Sequence, residues 1–272
     1  MPSDTAGRPP RTTDPLSPRP HPDSRWIRRL RSVPSARLRL VCLPHAGGSA
    51  GFFRDWSKGL APDVDLWAIQ YPGRENRISE PLIGEMHALA RSIADELRPY
   101  ADTPTVLFGH SMGAALGFEV ARRLTAPGER HLLRHLVASG CAAPHRLRPF
   151  AGHEGAHLLD DDRLVAMLGP LGAGGTHLLN DPDMREVLLP PVRNDYRLIQ
   201  SYTGRRDPIL PIGITAFTGR DDEAVGADDL HAWAEVTDGS WTVRSFPGGH
   251  FYLAEHRDKV LGAVNDVLNG LD

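Results

Sequence analysis

The chain has 272 residues, 40% of them apolar and 24% charged, with a formal net charge of −3. That length supports one sizeable domain with a full core, and the near-neutral balance excludes a global electrostatic footprint for nucleic acid. No run approaches the roughly 18 consecutive apolar residues of a membrane-spanning helix, so no membrane association is expected.

Cys42 and Cys141 lie in or beside apolar runs. They read as isolated buried thiols, which fits a cytoplasmic protein better than a disulfide framework would. The N-terminus carries arginines with no apolar segment behind them, so a secretory signal is not expected. Residues 1–24 are dense in Pro, Ser, Thr, Asp and Arg and nearly free of large apolar side chains. Such a segment buries too little surface to offset its ordering entropy, and it is expected to be a disordered extension. The folded domain is placed at residues 25–272.

Residues 38–43 (LRLVCL) read as a buried strand, followed by the loop Pro44-His45-Ala46-Gly47-Gly48-Ser49. Phe52, Phe53, Trp56 and Leu60 recur at helical spacing. A second strand spans residues 64–69 and ends at the turn Tyr71-Pro72-Gly73. Ile83, Met86, Leu89, Ala90, Ile93 and Leu97 form one apolar helical face, stopped by Pro99. A third strand covers residues 105–108, residues 109–124 turn and continue as a helix, and residues 131–139 give a fourth strand. This alternation predicts an α/β fold with a mainly parallel sheet and helices on both faces.

The alternation breaks between about residues 144 and 206. Short helical patterns at 162–168, 184–189 and 192–202 follow one another, punctuated by Pro and Gly. Strands resume at 212–217 and 241–246, and residues 260–268 close as an amphipathic helix. A helical insertion in this place reads as a lid over a binding cleft.

Gly109-His110-Ser111-Met112-Gly113 follows a strand and opens a helix. A nucleophile elbow demands that context: a sharp turn exposes the serine, and glycines two residues either side avoid backbone clashes. The helix N-terminus behind Ser111 presents unpaired N–H groups to a developing oxyanion. His250 follows Gly248-Gly249 after the last strand, and the chain order Ser…Asp…His is the one this fold uses. His231 and His256 sit within helical patterns and read as solvated. The third member belongs after the penultimate strand, where Asp221, Asp222 and Glu223 are adjacent; position alone leaves the two aspartates open. An oxyanion hole takes one N–H from Met112, after the nucleophile, and one from the Pro44–Gly48 loop.

These residues resemble the stand-alone, type II thioesterases associated with polyketide synthases and non-ribosomal peptide synthetases, which have the α/β-hydrolase fold. The similarity runs from about Trp26 to the C-terminal helix. Its marks are Leu43-Pro44-His45-Ala46-Gly47-Gly48-Ser49, Tyr71-Pro72-Gly73-Arg74-Glu75, Phe108-Gly109-His110-Ser111-Met112-Gly113, Ser139-Gly140 and Phe246-Pro247-Gly248-Gly249-His250-Phe251.

The resemblance implies that Asp222, third after the glycine of its T-G-x-x-D turn, is the triad carboxylate. It implies Ala46 and Met112 as the oxyanion amides and a mobile lid over the acyl pocket. It also implies a substrate acylated on the phosphopantetheine arm of an acyl or peptidyl carrier domain, hydrolysed to clear aberrant or stalled groups. No metal or resident cofactor is implied, and a monomer is the expected state.

Two departures stand out: Cys141 where relatives usually carry arginine, and Glu223 where proline commonly follows the aspartate. Arg146, Arg148, Arg193, Arg197, Arg205 and Arg206, in or beside the insertion, are candidates for a basic rim meeting an acidic carrier. The alternatives are a carboxylesterase or lipase using the same triad, and a catalytically silent protein that only binds carriers.

Overall fold

The computed structural model describes residues 24–129, 133–148, 154–169 and 176–271. The disorder expected for residues 1–24 falls outside these, except at Ser24. The strands are β1 (Ile27–Arg31), β2 (Leu38–Leu43), β3 (Val64–Ile69), β4 (Thr105–His110), β5 (Leu133–Ser139), β6 (Gly213–Gly219) and β7 (Trp241–Phe246). The helices are α1 (Met86–Leu97), α2 (Met112–Leu124), α3 (Asp161–Leu168), α4 (Pro182–Ser201), α5 (Ala227–His231), α6 (Tyr252–Glu255) and α7 (Arg257–Asn269).

All seven strands form one sheet in the order β1-β3-β2-β4-β5-β6-β7. Only β1 runs antiparallel, against β3; every other neighbour pair is parallel. The sequence IRRLR gave no strand expectation because its charge suits only an edge, where β1 lies. Its arginines are occupied there: Arg29 lies over the Trp67 ring at 5.1 Å, and Arg31 donates to the carbonyl oxygens of Ser57 and Val64, each at 3.0 Å.

Side chains alternate across the sheet and build a core on each face. Val41, Leu43, Trp67, Ile69, Leu107 and Leu136 pack with α1 and α2. Leu40, Cys42, Leu66, Val106, Phe108 and Phe217 pack on the other face, with α7 and the 3₁₀ segment Ala50–Lys58. That segment carries the helical spacing of Phe52, Phe53 and Trp56. Ile83 falls outside α1, because Glu85 caps the helix by accepting the His87 and Ala88 N–H groups at 2.9 and 2.6 Å.

Between β5 and β6 the described residues hold α3 and α4. The two helical patterns expected at 184–189 and 192–202 are one helix, α4, which continues through Pro190 and Pro191. Each proline removes a backbone donor, but burial of Leu189, Val192 and Tyr196 within the insertion and of Leu198 in the main core holds the helix together. Its start moves upstream of Met184 because Pro182 occupies the first turn, where a missing N–H is harmless, and Asp181 accepts the Asp183 N–H at 2.9 Å.

From β2 the chain moves to β3 on one side, then returns across β2 to β4 on the other. The strand order reverses between β2 and β4, and open α/β sheets form their crevice outside the C-terminal ends of such strands. The Pro44–Gly48 loop and Ser111 leave the sheet at those two ends.

Candidate active site

Ser111 adopts φ 55° and ψ −120°, a conformation that L-residues rarely hold, between the end of β4 and the first turn of α2. The flanking glycines make it possible. A Cβ on Gly109 would stand 2.1 Å from the Gly113 carbonyl oxygen, and one on Gly113 would stand 2.1 Å from that of Leu43. The Ser111 N–H donates to the Ser139 carbonyl at 2.8 Å, tying the elbow to the end of β5. Ser139 also uses its hydroxyl, 2.9 Å from His110 Nδ1 and 2.6 Å from the Tyr252 hydroxyl. Neither Ser139 nor Tyr252 was a sequence candidate; the Ser139-Gly140 pair marked the place without its role.

His250 and Asp222 meet: His250 Nδ1 lies 2.9 Å from Asp222 Oδ2. Asp222 is buried, and its Oδ1 accepts the Ala224 N–H at 3.1 Å. Two loops deliver the pair. The Arg220 and Asp221 N–H groups donate to the Phe246 and Gly248 carbonyls at 2.8 and 3.0 Å. A Cβ on Gly219 would stand 2.3 Å from the Gly249 carbonyl oxygen, so only glycine allows this approach. Asp221 is exposed, which resolves the choice between the aspartates in favour of Asp222 as the partner of His250. Gly140 joins the two halves, lining the cleft with Ser111 and presenting its Cα hydrogen toward the rings of His110 and His250.

In the Pro44–Gly48 loop five backbone groups have partners. Tyr71 donates its hydroxyl proton to the Pro44 carbonyl at 3.0 Å, and the Gly48 N–H donates to the His45 carbonyl at 2.9 Å. The Gly47 N–H donates to Asp195 at 2.8 Å, and the Gly48 carbonyl accepts from Arg74 at 3.0 Å. Among the described residues no acceptor is found for the Ala46 or Met112 N–H. Those are the amides an oxyanion hole leaves open.

Behind His250 stand two more imidazoles. Ring centroids lie 5.0 Å apart for His110 and His250 and 6.0 Å for His45 and His110, and Phe251 packs edge-on against all three histidines. Burial, reinforced by the neighbouring histidine, holds His110 well below the ordinary histidine range and brings His45 down to about 3. Both are therefore neutral at pH 7.

The cleft at Ser111 is lined by Met112, Gly140, Cys141, Leu147 and Val225, and by Tyr196 and Ile199 of α4. Burial pushes the Cys141 thiol up to about 12, so it presents a neutral, apolar wall. Arg146 and Arg148 are exposed and line the same cleft. The other candidate arginines differ. Arg193 donates to the His157 and Leu159 carbonyls and to Asp161, and Arg197 donates to Asn194 Oδ1 at 2.9 Å, so both hold the insertion itself. Arg206 pairs with Glu235 at 2.7 Å, and Arg205 is exposed. Among the described residues no three His, Cys, Asp or Glu side chains are grouped to hold a metal ion.

A mainly parallel sheet with a strained serine at its switch point and a histidine–aspartate pair on loops at the same sheet edge defines a serine hydrolase of the α/β-hydrolase type. A family model describing a thioesterase domain matches residues 38–268. A probable cadicidin biosynthesis thioesterase from Streptomyces griseus is 39% identical over 246 residues, which cover 90% of this chain and 66% of that protein. Thioesterase PikA5 from Streptomyces venezuelae is 34% identical over 246 residues, covering 89% of this chain and 85% of that protein. The solved type II thioesterase BorB from the borrelidin biosynthetic cluster superposes with a TM-score of 0.79 at 42% identity, covering 89% of this chain and 96% of that one. The chain belongs to the thioesterase family, and it is an acyl-thioester hydrolase.

Proposed function

We propose that the chain hydrolyses aberrant or stalled acyl groups from the phosphopantetheine arm of acyl or peptidyl carrier domains, with Ser111 as nucleophile. The observation that carries this reading is the strained Ser111 elbow, opening onto a cleft with apolar and charged walls that α4 helps to line. His250, oriented through Nδ1 by Asp222, takes the Ser111 proton as Oγ attacks the thioester carbonyl. The Ala46 and Met112 amides stabilise the oxyanion, at about 3–4 kcal/mol per donor in comparable hydrolases. The tetrahedral species collapses with cleavage of the C–S bond. The pantetheine sulfur leaves with little acid assistance, since a thiol pKa is about 8.5, and takes up the proton held by His250, which is thereby neutral again. Water activated by His250 then attacks the acyl-enzyme and releases the free acid and Ser111.

The carrier partner rests on two supports. The cadicidin relative and BorB carry biosynthetic thioesterase names, and Arg146 and Arg148 place positive charge at the cleft where an acidic carrier would present its arm. The phosphopantetheine belongs to the substrate, and no resident cofactor is needed for these steps. Hydrolysis of an acyl-carrier thioester compared with the matching oxygen ester tests the reading. A strong preference for the carrier thioester is expected, and equal rates would favour a carboxylesterase. The silent-binder alternative predicts no labelling of Ser111 by a fluorophosphonate.

A further inference from the structure

The Tyr71-Pro72-Gly73-Arg74-Glu75 segment has no part in the steps above, yet its arginine is deeply buried. Arg74 is 6% exposed and faces Asp195 of α4, which is 1% exposed, with Nη1–Oδ2 at 2.6 Å and Nη2–Oδ1 at 3.0 Å. A buried bidentate pair of this kind carries a large desolvation cost, and well-packed apolar residues would serve mere packing as well or better. The pair does more than join two segments. The same Asp195 Oδ2 accepts the Gly47 N–H at 2.8 Å, and the same Arg74 Nη1 donates to the Gly48 carbonyl at 3.0 Å. The two charges therefore grip the loop on both sides of Gly47, whose φ of +75° sets the turn just after Ala46. Val192, one turn before Asp195, presses against the Gly47 Cα; a Cβ there would lie 2.9 Å from its Cγ2.

We propose that Arg74 and Asp195 are positioning residues that hold the 44–48 loop with the Ala46 amide aimed at the Ser111 site, so that the oxyanion hole is complete only while α4 is seated. The proposal rests on the reading of Ala46 as an oxyanion donor. Neither residue touches the acyl group; they act through Gly47 and Gly48. A lid helix that carries one of the loop's anchors links closure over the substrate to assembly of the catalytic dipoles.

The test uses full-length chain, a short acyl-pantetheine thioester, and two variants. Asp195→Asn keeps the shape and an acceptor while removing the charge. The double variant Arg74→Met, Asp195→Leu removes both charges, leaves no buried ion unpaired, and is expected to fold. Thermal melting establishes the folded fraction, and kcat per folded molecule and KM are measured together with the affinity of a trifluoromethyl ketone. In the double variant kcat should fall about 100-fold, the scale of losing one oxyanion donor, with KM within threefold of wild type. Ketone affinity should fall in parallel, and Asp195→Asn should lie between. Wild-type kcat and ketone affinity in either folded variant would overturn the proposal, as would complete unfolding of both, which would assign the pair to the fold alone. Ser111→Ala separates the two readings: if it still hydrolyses the thioester, the serine mechanism itself fails, whereas an inactive Ser111→Ala beside a fully active double variant removes only the positioning role.

Discussion

Gly113, the second residue of α2, sits so close to Leu43, the last residue of β2, that an added Cβ would meet its carbonyl oxygen at 2.1 Å. The strand that leads into the 44–48 loop thus dictates a residue on the helix that follows Ser111. Gly113→Ala should therefore lose at least 1–3 kcal/mol of stability through overpacking against rigid backbone. Displacement of the elbow should also slow fluorophosphonate labelling of Ser111 by tenfold or more. Gly262, inside α7 with nothing within 4 Å, is the control. Gly262→Ala should raise stability by roughly 0.5–1 kcal/mol through helix propensity and leave labelling unchanged.

Asp222 and Asp221 are neighbours with opposite surroundings, one buried against His250 and the other exposed. Asp222→Asn keeps the shape but favours the wrong His250 tautomer, and kcat should drop about 10⁴-fold. Asp221→Asn should change kcat less than twofold, because the Asp221 contact to Gly248 is made by the main chain. Steady-state kinetics on one thioester distinguishes them.

Acid should destabilise the protein through its buried histidines. Burial holds His135 down to about 4 and His45 to about 3, with His110 also well below the ordinary value of about 6.5. Between those limits the unfolded chain binds protons that the folded chain refuses. Stability is then fully present above about pH 6.5 and falls as pH drops, by up to about 1.4 kcal/mol per pH unit for each such histidine. His135 lies apart from His45, His110 and His250, with Nε2 2.8 Å from the Thr215 hydroxyl. Urea denaturation from pH 7 to pH 4.5 should show a shallower slope for His135→Gln, by about one proton, than for wild type.

The arginines proposed for the carrier divide by their contacts. Arg146 and Arg148 line the cleft, while Arg206 is held by Glu235. Arg146→Glu combined with Arg148→Glu should raise KM for an acylated carrier about tenfold and leave a small pantetheine thioester unaffected. Arg206→Glu should change neither by more than twofold. Equal effects on both substrates would indicate damage to the acyl cleft.

Most of what forms the site was legible because it is local. The elbow and the two loops that carry Asp222 and His250 each show in a few consecutive residues, marked by glycines such as Gly109, Gly113 and Gly219, where a Cβ would collide with backbone. The choice of Asp222 over Asp221, though, came from the family resemblance. Strand and helix periodicity likewise exposed the parallel sheet. Legibility ended where the deciding partner lies far along the chain. Nothing near Arg74 announces Asp195, 121 positions away, and nothing near Arg193 announces the His157 and Leu159 carbonyls that occupy it. The edge strand β1 was masked by its charges, whose neutral partners belong to β3 and the 3₁₀ segment. Pro190 and Pro191 read as breaks because helix propensity was weighed without the tertiary packing that keeps α4 continuous.

In the proposed function the acyl group passes through a covalent ester on Ser111. Rapid-quench mass spectrometry of the enzyme mixed with an acylated carrier domain tests it most directly. A transient mass increase equal to the acyl group is expected, located on the peptide containing Ser111, decaying as free acid appears, and absent in Ser111→Ala together with turnover. Undiminished release of free acid by Ser111→Ala would contradict it.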